Sequence, residues 1–114
     1  MKITYRYYRL PNTIRKAKLS EKEVRKLAIT TAGVLGRYTN PRGGVTEAHL
    51  HLDNGAILTA RVTCSYQDNF NKKTGRKLVL FKLQSAINNL LDITVLVKAL
   101  SFISAEVERN DDEE

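Results

Sequence analysis

Four cations, Lys72, Lys73, Arg76 and Lys77, fall within six positions of the chain. Asp68 precedes them, and no acid follows until Asp92. Lys72 and Arg76 are four apart, as are Lys73 and Lys77, while Lys73 and Arg76 are three apart. On a helix such pairs are neighbours and repel by about 0.2–0.5 kcal/mol each. If a helix starts here, its dipole adds to the cost, because cations are favoured at the opposite end. A bound phosphate reverses the sign of each of these contributions, and the N–H groups of a first helical turn point at such an anion. Gly75, beside Arg76, leaves room for backbone to approach a ligand. The cluster therefore favours anion binding over a merely solvated basic face. It is not a P-loop, since the G-x-x-x-x-G-K-[ST] spacing is absent.

The stretch "YRYYR", residues 5–9, interleaves aromatics with arginines, a pattern that can stack bases and hold phosphates. Tyr5 and Tyr7 share one strand face and suit a core with their hydroxyls at its edge. Tyr8 and Arg6, on the other face, are the better contact candidates. His49, His51 and Asp53 alternate along one strand face and supply three side chains able to ligate a metal. No fourth ligand accompanies them, so they read as a polar strand face and no metal is expected. Cys64 falls on the apolar face, opposite both histidines, and reads as a small hydrophobe rather than a nucleophile. The carboxylates are scattered or terminal and form no acid–base pair. No catalytic residue and no cofactor is expected.

Composition sets the wider frame. The 114 residues carry a net charge of +7, with 42% hydrophobic and 27% charged residues, which are globular values. Six of the 12 acids lie in the last nine residues, so residues 1–105 carry a formal +12. A body this basic attracts nucleic acid, nucleotides, phosphates or an acidic protein face. The acidic end, 109–114, reads as a solvated, mobile tail rather than one folded back over the basic surface. A single domain over 1–108 is expected. No apolar run is long enough to cross a bilayer, and "MKITYRYYRLP" has no signal-peptide core. One cysteine and no such core point to the cytoplasm.

The elements that position these residues form an α+β domain. Residues 2–9 alternate as a strand that Pro11 ends. "SEKE", residues 20–23, is a capping box that opens a helix running to about Ala32, with Gly33 and Gly36 after it. "RYTNPRGG", residues 37–44, reads as a basic loop. Residues 45–64 read as a hairpin around "DNG". A two-residue turn mixes its faces. A three-residue loop of Asp53, Asn54 and Gly55 instead faces Leu50 with Leu58, Ala48 with Ala60, His49 with Thr59 and Glu47 with Arg61. That register sorts apolar from polar and creates a cross-strand ion pair, so it is preferred. After a loop, "SYQDNFN", a helix spans about Lys73 to Leu90, with Asp68, Asn69, Asn71 or Thr74 as its cap. Its apolar side holds Leu80, Phe81, Leu83, Ile87, Leu90 and Leu91. Residues 93–107 fit a second helix capped by Asp92, although "ITVLV" also suits a strand. The expected fold is an antiparallel sheet with one N-terminal helix and two C-terminal helices.

The core "D-x-F-x-K-K-x-G-R-K", residues 68–77, resembles a segment of small bacteriophage proteins in which it opens an apolar helix. Within that setting the chain is similar to the first type of Thoeris anti-defence proteins. The resemblance covers about a sixth of the chain. It implies a sheet followed by helices, a homo-oligomer, and sequestration of cyclic ADP-ribose-like signals or cyclic oligonucleotides. It also implies an aromatic side chain stacked on adenine and a basic pair holding phosphates. Lys72 and Arg76 match that pair by spacing, although the family carries two arginines. Phe70 and Tyr66 are the stacking candidates by proximity, with Tyr8 a third. Arg6 and Arg61 are secondary basic contacts.

Three functions follow as expectations. The first is a non-enzymatic phage anti-defence protein in the host cytoplasm that captures a phosphate-bearing nucleotide signal. The second is a basic nucleic-acid-binding protein. The third is an inhibitor that docks on a host defence complex, as anti-CRISPR proteins do.

Overall fold

Among the described residues, three strands and three helices follow the sequence order β1 (Lys2–Tyr8), α1 (Glu21–Thr30), β2 (Arg42–His51), β3 (Ile57–Asn69), α2 (Lys72–Ile87) and α3 (Ile93–Asp112). They are seen in a computed structural model that describes residues 1–11, 19–31 and 40–112. The strands form one antiparallel sheet in the order β1-β2-β3, so the fold is α+β. The expected helix end at Ala32, Gly33 and Gly36, with part of the basic loop, lies outside the described residues.

The hairpin adopts the register that sorts its faces. Glu47 faces Arg61, Ala48 faces Ala60, His49 faces Thr59 and Leu50 faces Leu58. Leu52 N–H donates to the Ala56 carbonyl across the three-residue loop (2.9 Å). Gly55 there takes a φ of 88°, a left-handed value at which any side chain is strained. Both strands are longer than expected. β2 begins at Arg42, inside the stretch read as a loop, and β3 continues through "SYQDN" to Asn69. The pattern hid this because a register shift lies between Arg42 and Gly44, where Arg42 pairs with Asn69 and Gly44 with Cys64. Residues 65–68 form an irregular excursion there, which breaks the alternation that marks a strand.

Alternation places one set of side chains on each sheet face. Ala48, Leu50 and Leu52 meet Val79, Leu80, Leu83 and Ile87 of α2 and Ala99 and Ile103 of α3. On the other face Val45 meets Leu10 with Val24 and Ala28 of α1. The sheet is thus sandwiched between the α2–α3 pair and α1. Each fully buried Leu or Ile contributes about 1.5–3 kcal/mol through removal from water.

Local signals set the helix starts. Ser20 and Glu23 form the full capping box. Asn71 caps α2 by accepting from Thr74 N–H (3.0 Å). Asp92 accepts from Thr94 and Val95 N–H at 2.9 and 3.3 Å, so the ambiguous segment is helix. Phe81 and Leu91, expected on the apolar side, face outward at 50% and 98% exposure. The buried stripe of α2 instead steps by four from Gly75 through Val79 and Leu83 to Ile87. No helix among the described residues is long and apolar enough to cross a membrane.

α3 corrects the reading of the acidic end. The helix continues to Asp112, so 109–112 are its last turn rather than a solvated tail. The buried positions Ala99, Ile103, Glu106 and Asn110 keep helical spacing throughout. Two polar residues thereby extend a core-facing stripe.

Candidate functional site

The basic cluster opens α2, where the spacing placed it. Its neighbour is the C-terminal turn of α3, which the sequence reading had sent into solvent. Arg76 Nε donates to Asn110 Oδ1 (2.9 Å), and its NH1 donates to the Tyr7 hydroxyl (3.0 Å). Asn110 in turn donates from Nδ2 to the Lys73 carbonyl (3.2 Å). Lys73 Nζ reaches the Asp111 carbonyl (3.5 Å). Lys72 lies over the Tyr7 ring, its Nζ 4.7 Å from the centroid. Lys77 is exposed on the outer side of α2.

This arrangement changes the electrostatic account of the cluster. The positive end of the α2 dipole, with its four cations, lies beside the negative end of the α3 dipole. Cations are favoured at a helix C-terminus by about 0.3–1 kcal/mol each. Part of the charge that a phosphate was expected to supply therefore comes from the chain's own terminal turn. Gly75 also acquires a different reason. Any Cβ there would press into Thr46 Oγ1 and lie 3.0 Å from Thr46 Cβ, so the close approach is to β2 and not to a ligand.

An open groove of about 310 Å3 lies between β1 and this α2–α3 junction. Ile3, Tyr5 and Tyr7 line one wall, and Arg76, Glu106, Arg109 and Asn110 line the other. Glu106 is almost fully buried; it accepts from Tyr5 OH (3.4 Å) and from Arg109. Burial and then the Glu106 charge push the Tyr5 phenol well above its ordinary value, which keeps it a donor. Two guanidiniums and two phenols thus converge with one carboxylate, and Lys72 stands at the rim over Tyr7. Phosphate oxygens suit the first set, and an aromatic ring suits the tyrosine wall.

The other candidates separate. Phe70 meets Tyr7 edge-to-face (6.3 Å between centroids), and Arg9 lies over its ring at 5.1 Å. It is packed and partly buried, lining a different cavity. Tyr66 and Tyr8 pack against the α1-side core, across the sheet from Arg76, so neither stacks beside the Lys72 and Arg76 pair. Arg6 is exposed opposite Glu47 on β1. Arg61 donates to Glu47, which also meets His49 Nε2 (2.6 Å) and accepts from Tyr8 OH (3.4 Å). Burial works to raise the Glu47 carboxyl, but Arg61 and His49 outweigh it and hold it below its ordinary value. His49 is therefore engaged by Glu47 and by Thr59 Oγ1 (3.2 Å). Among the described residues no cluster of three metal-ligating side chains is present.

Cys64 lies on the apolar side, as expected, and lines a cavity of about 520 Å3 with Thr46, Asp68, Phe70 and Gly75. Its thiol sits 3.6–3.7 Å from the carbonyls of Ser65, Asp68 and Asn69. Burial first, and then the Asp68 charge, push the thiol up, which opposes thiolate chemistry.

Sequence reasoning missed Tyr5 and Tyr7 as groove residues, and Glu106, Arg109 and Asn110 altogether. One signal was present. The spacing of Ala99, Ile103, Glu106 and Asn110 continues the helical stripe past its last apolar member. No family model, no curated protein and no solved structure matches the chain.

Proposed function

We propose that this chain is a non-enzymatic binding protein that captures a small, phosphate-bearing ligand of nucleotide type in the groove between β1 and the α2–α3 junction. The carrying observation is the convergence of Arg76, Arg109, Tyr5 and Tyr7 on one open groove of about 310 Å3. That volume lies at the low end of the roughly 300–1,000 Å3 of small-molecule sites, which suits a mononucleotide or one nucleotide unit of a larger ligand whose remainder lies outside the groove. Arg76 and Arg109 offer forked donors to phosphate oxygens, and Lys72 adds a third cation at the rim. Tyr5 and Tyr7 offer ring surface, and Glu106 offers acceptor oxygens to N–H donors of a base. The carboxylate weakens anion affinity, yet three cations stand against it. The resemblance of residues 68–77 to small phage proteins supports a narrower form. In that form the ligand is a cyclic ADP-ribose isomer or a cyclic oligonucleotide, and its sequestration defeats a host immune signal.

Thermal unfolding with cyclic ADP-ribose isomers, cyclic dinucleotides and AMP tests the reading. A ligand at a hundred times its Kd stabilises the folded state by about 2.7 kcal/mol. Arg109→Gln, at a mostly exposed side chain, should abolish that gain while leaving the free protein folded. If none of these ligands raises the melting temperature, or if Arg109→Gln keeps the full gain, the groove is not a nucleotide site.

A further inference from the structure

Arg25, Arg61 and Lys82 are far apart in sequence and belong to α1, β3 and α2. The fold brings them to one place, an open groove of about 390 Å3 along β3, with Thr59, Ala60 and Ala86 completing its lining. α1 reaches it from one face of the sheet and α2 from the other. No carboxylate among the described residues belongs to the lining. Each cation is oriented by an internal acceptor. Arg25 Nε donates to Thr63 Oγ1 (3.3 Å), and Lys82 Nζ donates to the Arg61 carbonyl (2.7 Å). Arg61 donates to the buried Glu47, whose charge it shares with His49. Among the described residues β3 pairs with β2 alone, so its outer edge carries backbone N–H and C=O groups outside the ladder.

Arg61 is offset by Glu47, but among the described residues Arg25 and Lys82 meet only the neutral acceptors Thr63 Oγ1 and the Arg61 carbonyl, so they bring uncompensated like charge to the groove. The small alanines leave the space open, and the three charged side chains that line it are all donors. A tetrahedral anion with several acceptor oxygens matches that set. We propose that this β3-edge groove is a phosphate-binding site, separate from the groove at the α2–α3 junction, with Arg25, Arg61 and Lys82 as its charged contacts. Its ligand is a phosphate group, carried by a free oligophosphate or by the backbone of a single-stranded nucleic acid. An edge groove open along the strand admits either.

Two probes distinguish the sources: pyrophosphate by titration calorimetry, and a fluorescent ten-nucleotide single strand by anisotropy over a salt series. The test variant is Arg25→Gln with Lys82→Gln. The control is Lys22→Gln with Lys98→Gln, which removes the same charge from exposed positions outside the groove. The test variant should weaken pyrophosphate binding by at least about tenfold, since two charge-assisted hydrogen bonds are lost. The control should change it by less than about twofold. For the single strand, the slope of log K against log salt should fall by about 1.4 in the test variant, from roughly 0.7 per phosphate contact. Binding of pyrophosphate alone supports a compact oligophosphate, and binding of the strand alone supports a nucleic-acid backbone. In the unmutated protein, pyrophosphate or strand should also shift the amide resonances of Thr59, Ala60 and Ala86, which keeps the test independent of how the variants fold. Binding of neither probe, equal loss in both variants, or binding that leaves those three resonances unmoved overturns the proposal. Arg76 and Arg109 are unaltered throughout, so nucleotide capture at the other groove stands or falls on its own.

Discussion

Replacing Arg76 by Gln decides between two accounts of the α2 cations. If the cluster were only repulsion at a helix start, removing one charge would stabilise the free protein. Relief of like-charge pairs with Lys72 and Lys73 brings about 0.2–0.5 kcal/mol each. Removing a cation from the positive end of the helix adds about 0.3–1 kcal/mol. Against these stand two hydrogen bonds from a charged donor, to Asn110 Oδ1 at 2.9 Å and to the Tyr7 hydroxyl at 3.0 Å. Such bonds contribute about 1.5–3 kcal/mol each, and the low end applies here because Arg76 is only partly buried. Asn110 is 5% exposed, so its oxygen loses its Arg76 partner without ready replacement by water. The balance is a loss of about 1–2 kcal/mol, or a fall in Tm of roughly 4–8 °C. Lys77→Gln offers the opposite case on the same helix. Lys77 is exposed, and its removal relieves the pair with Lys73, for a gain of about 0.2–0.5 kcal/mol. Urea titrations of both variants, read at constant m, measure the two signs. Should Arg76→Gln prove as stable as the unmutated chain, the α2–α3 junction does not carry the energy assigned to it.

Two further perturbations test the sheet and its contacts. Gly75→Ala improves helix propensity by about 1 kcal/mol, yet should destabilise by about 1–2 kcal/mol net, because the new methyl overlaps Thr46. Thr46→Ala in the same chain should return part of that loss, with a coupling of at least about 0.5 kcal/mol in a double-mutant cycle; strict additivity would refute the contact. Glu47 is held below its ordinary 4.5 in the folded state, so the folded protein binds fewer protons there than the unfolded chain. The stability it contributes is complete above about pH 4.5 and is lost as the pH falls through the folded value. The stability gap between the unmutated chain and Glu47→Gln should therefore shrink on acidification, and a gap that is constant or growing below pH 4.5 contradicts the ion-pair account.

Much of the fold was legible because local patterns and tertiary packing agree. The hairpin register followed from sorting Leu50, Leu58, Ala48 and Ala60 onto one face, and burial enforces that sorting. The capping box at Ser20 and the caps at Asn71 and Asp92 are local hydrogen bonds, and local sequence encodes them. The long end of β3 was not legible. Residues 65–68 leave the register opposite Gly43, so no period of two marks them. The site was half legible. The cations of α2 stood out because they are costly where they lie. Their partners did not, because Asn110 and Glu106 look like members of an acidic terminus. Polar residues at buried helical positions break the apolar pattern that reveals a packed face.

The position of those partners bears on what the cluster can bind. A helix start with four cations and no nearby acid invites an external anion. The same start docked against a helix end has much of its field already offset, and its donors are partly committed. What remains for a ligand is directional rather than a bulk positive charge. Arg76 is fixed by Tyr7 and Asn110, Arg109 is held by Glu106, and Lys72 is set over the Tyr7 ring. Such fixed donors lose little entropy when an anion arrives, so affinity depends on fit more than on total charge. A ligand in this groove should therefore lose less affinity with added salt than a ligand held by three unanchored surface cations.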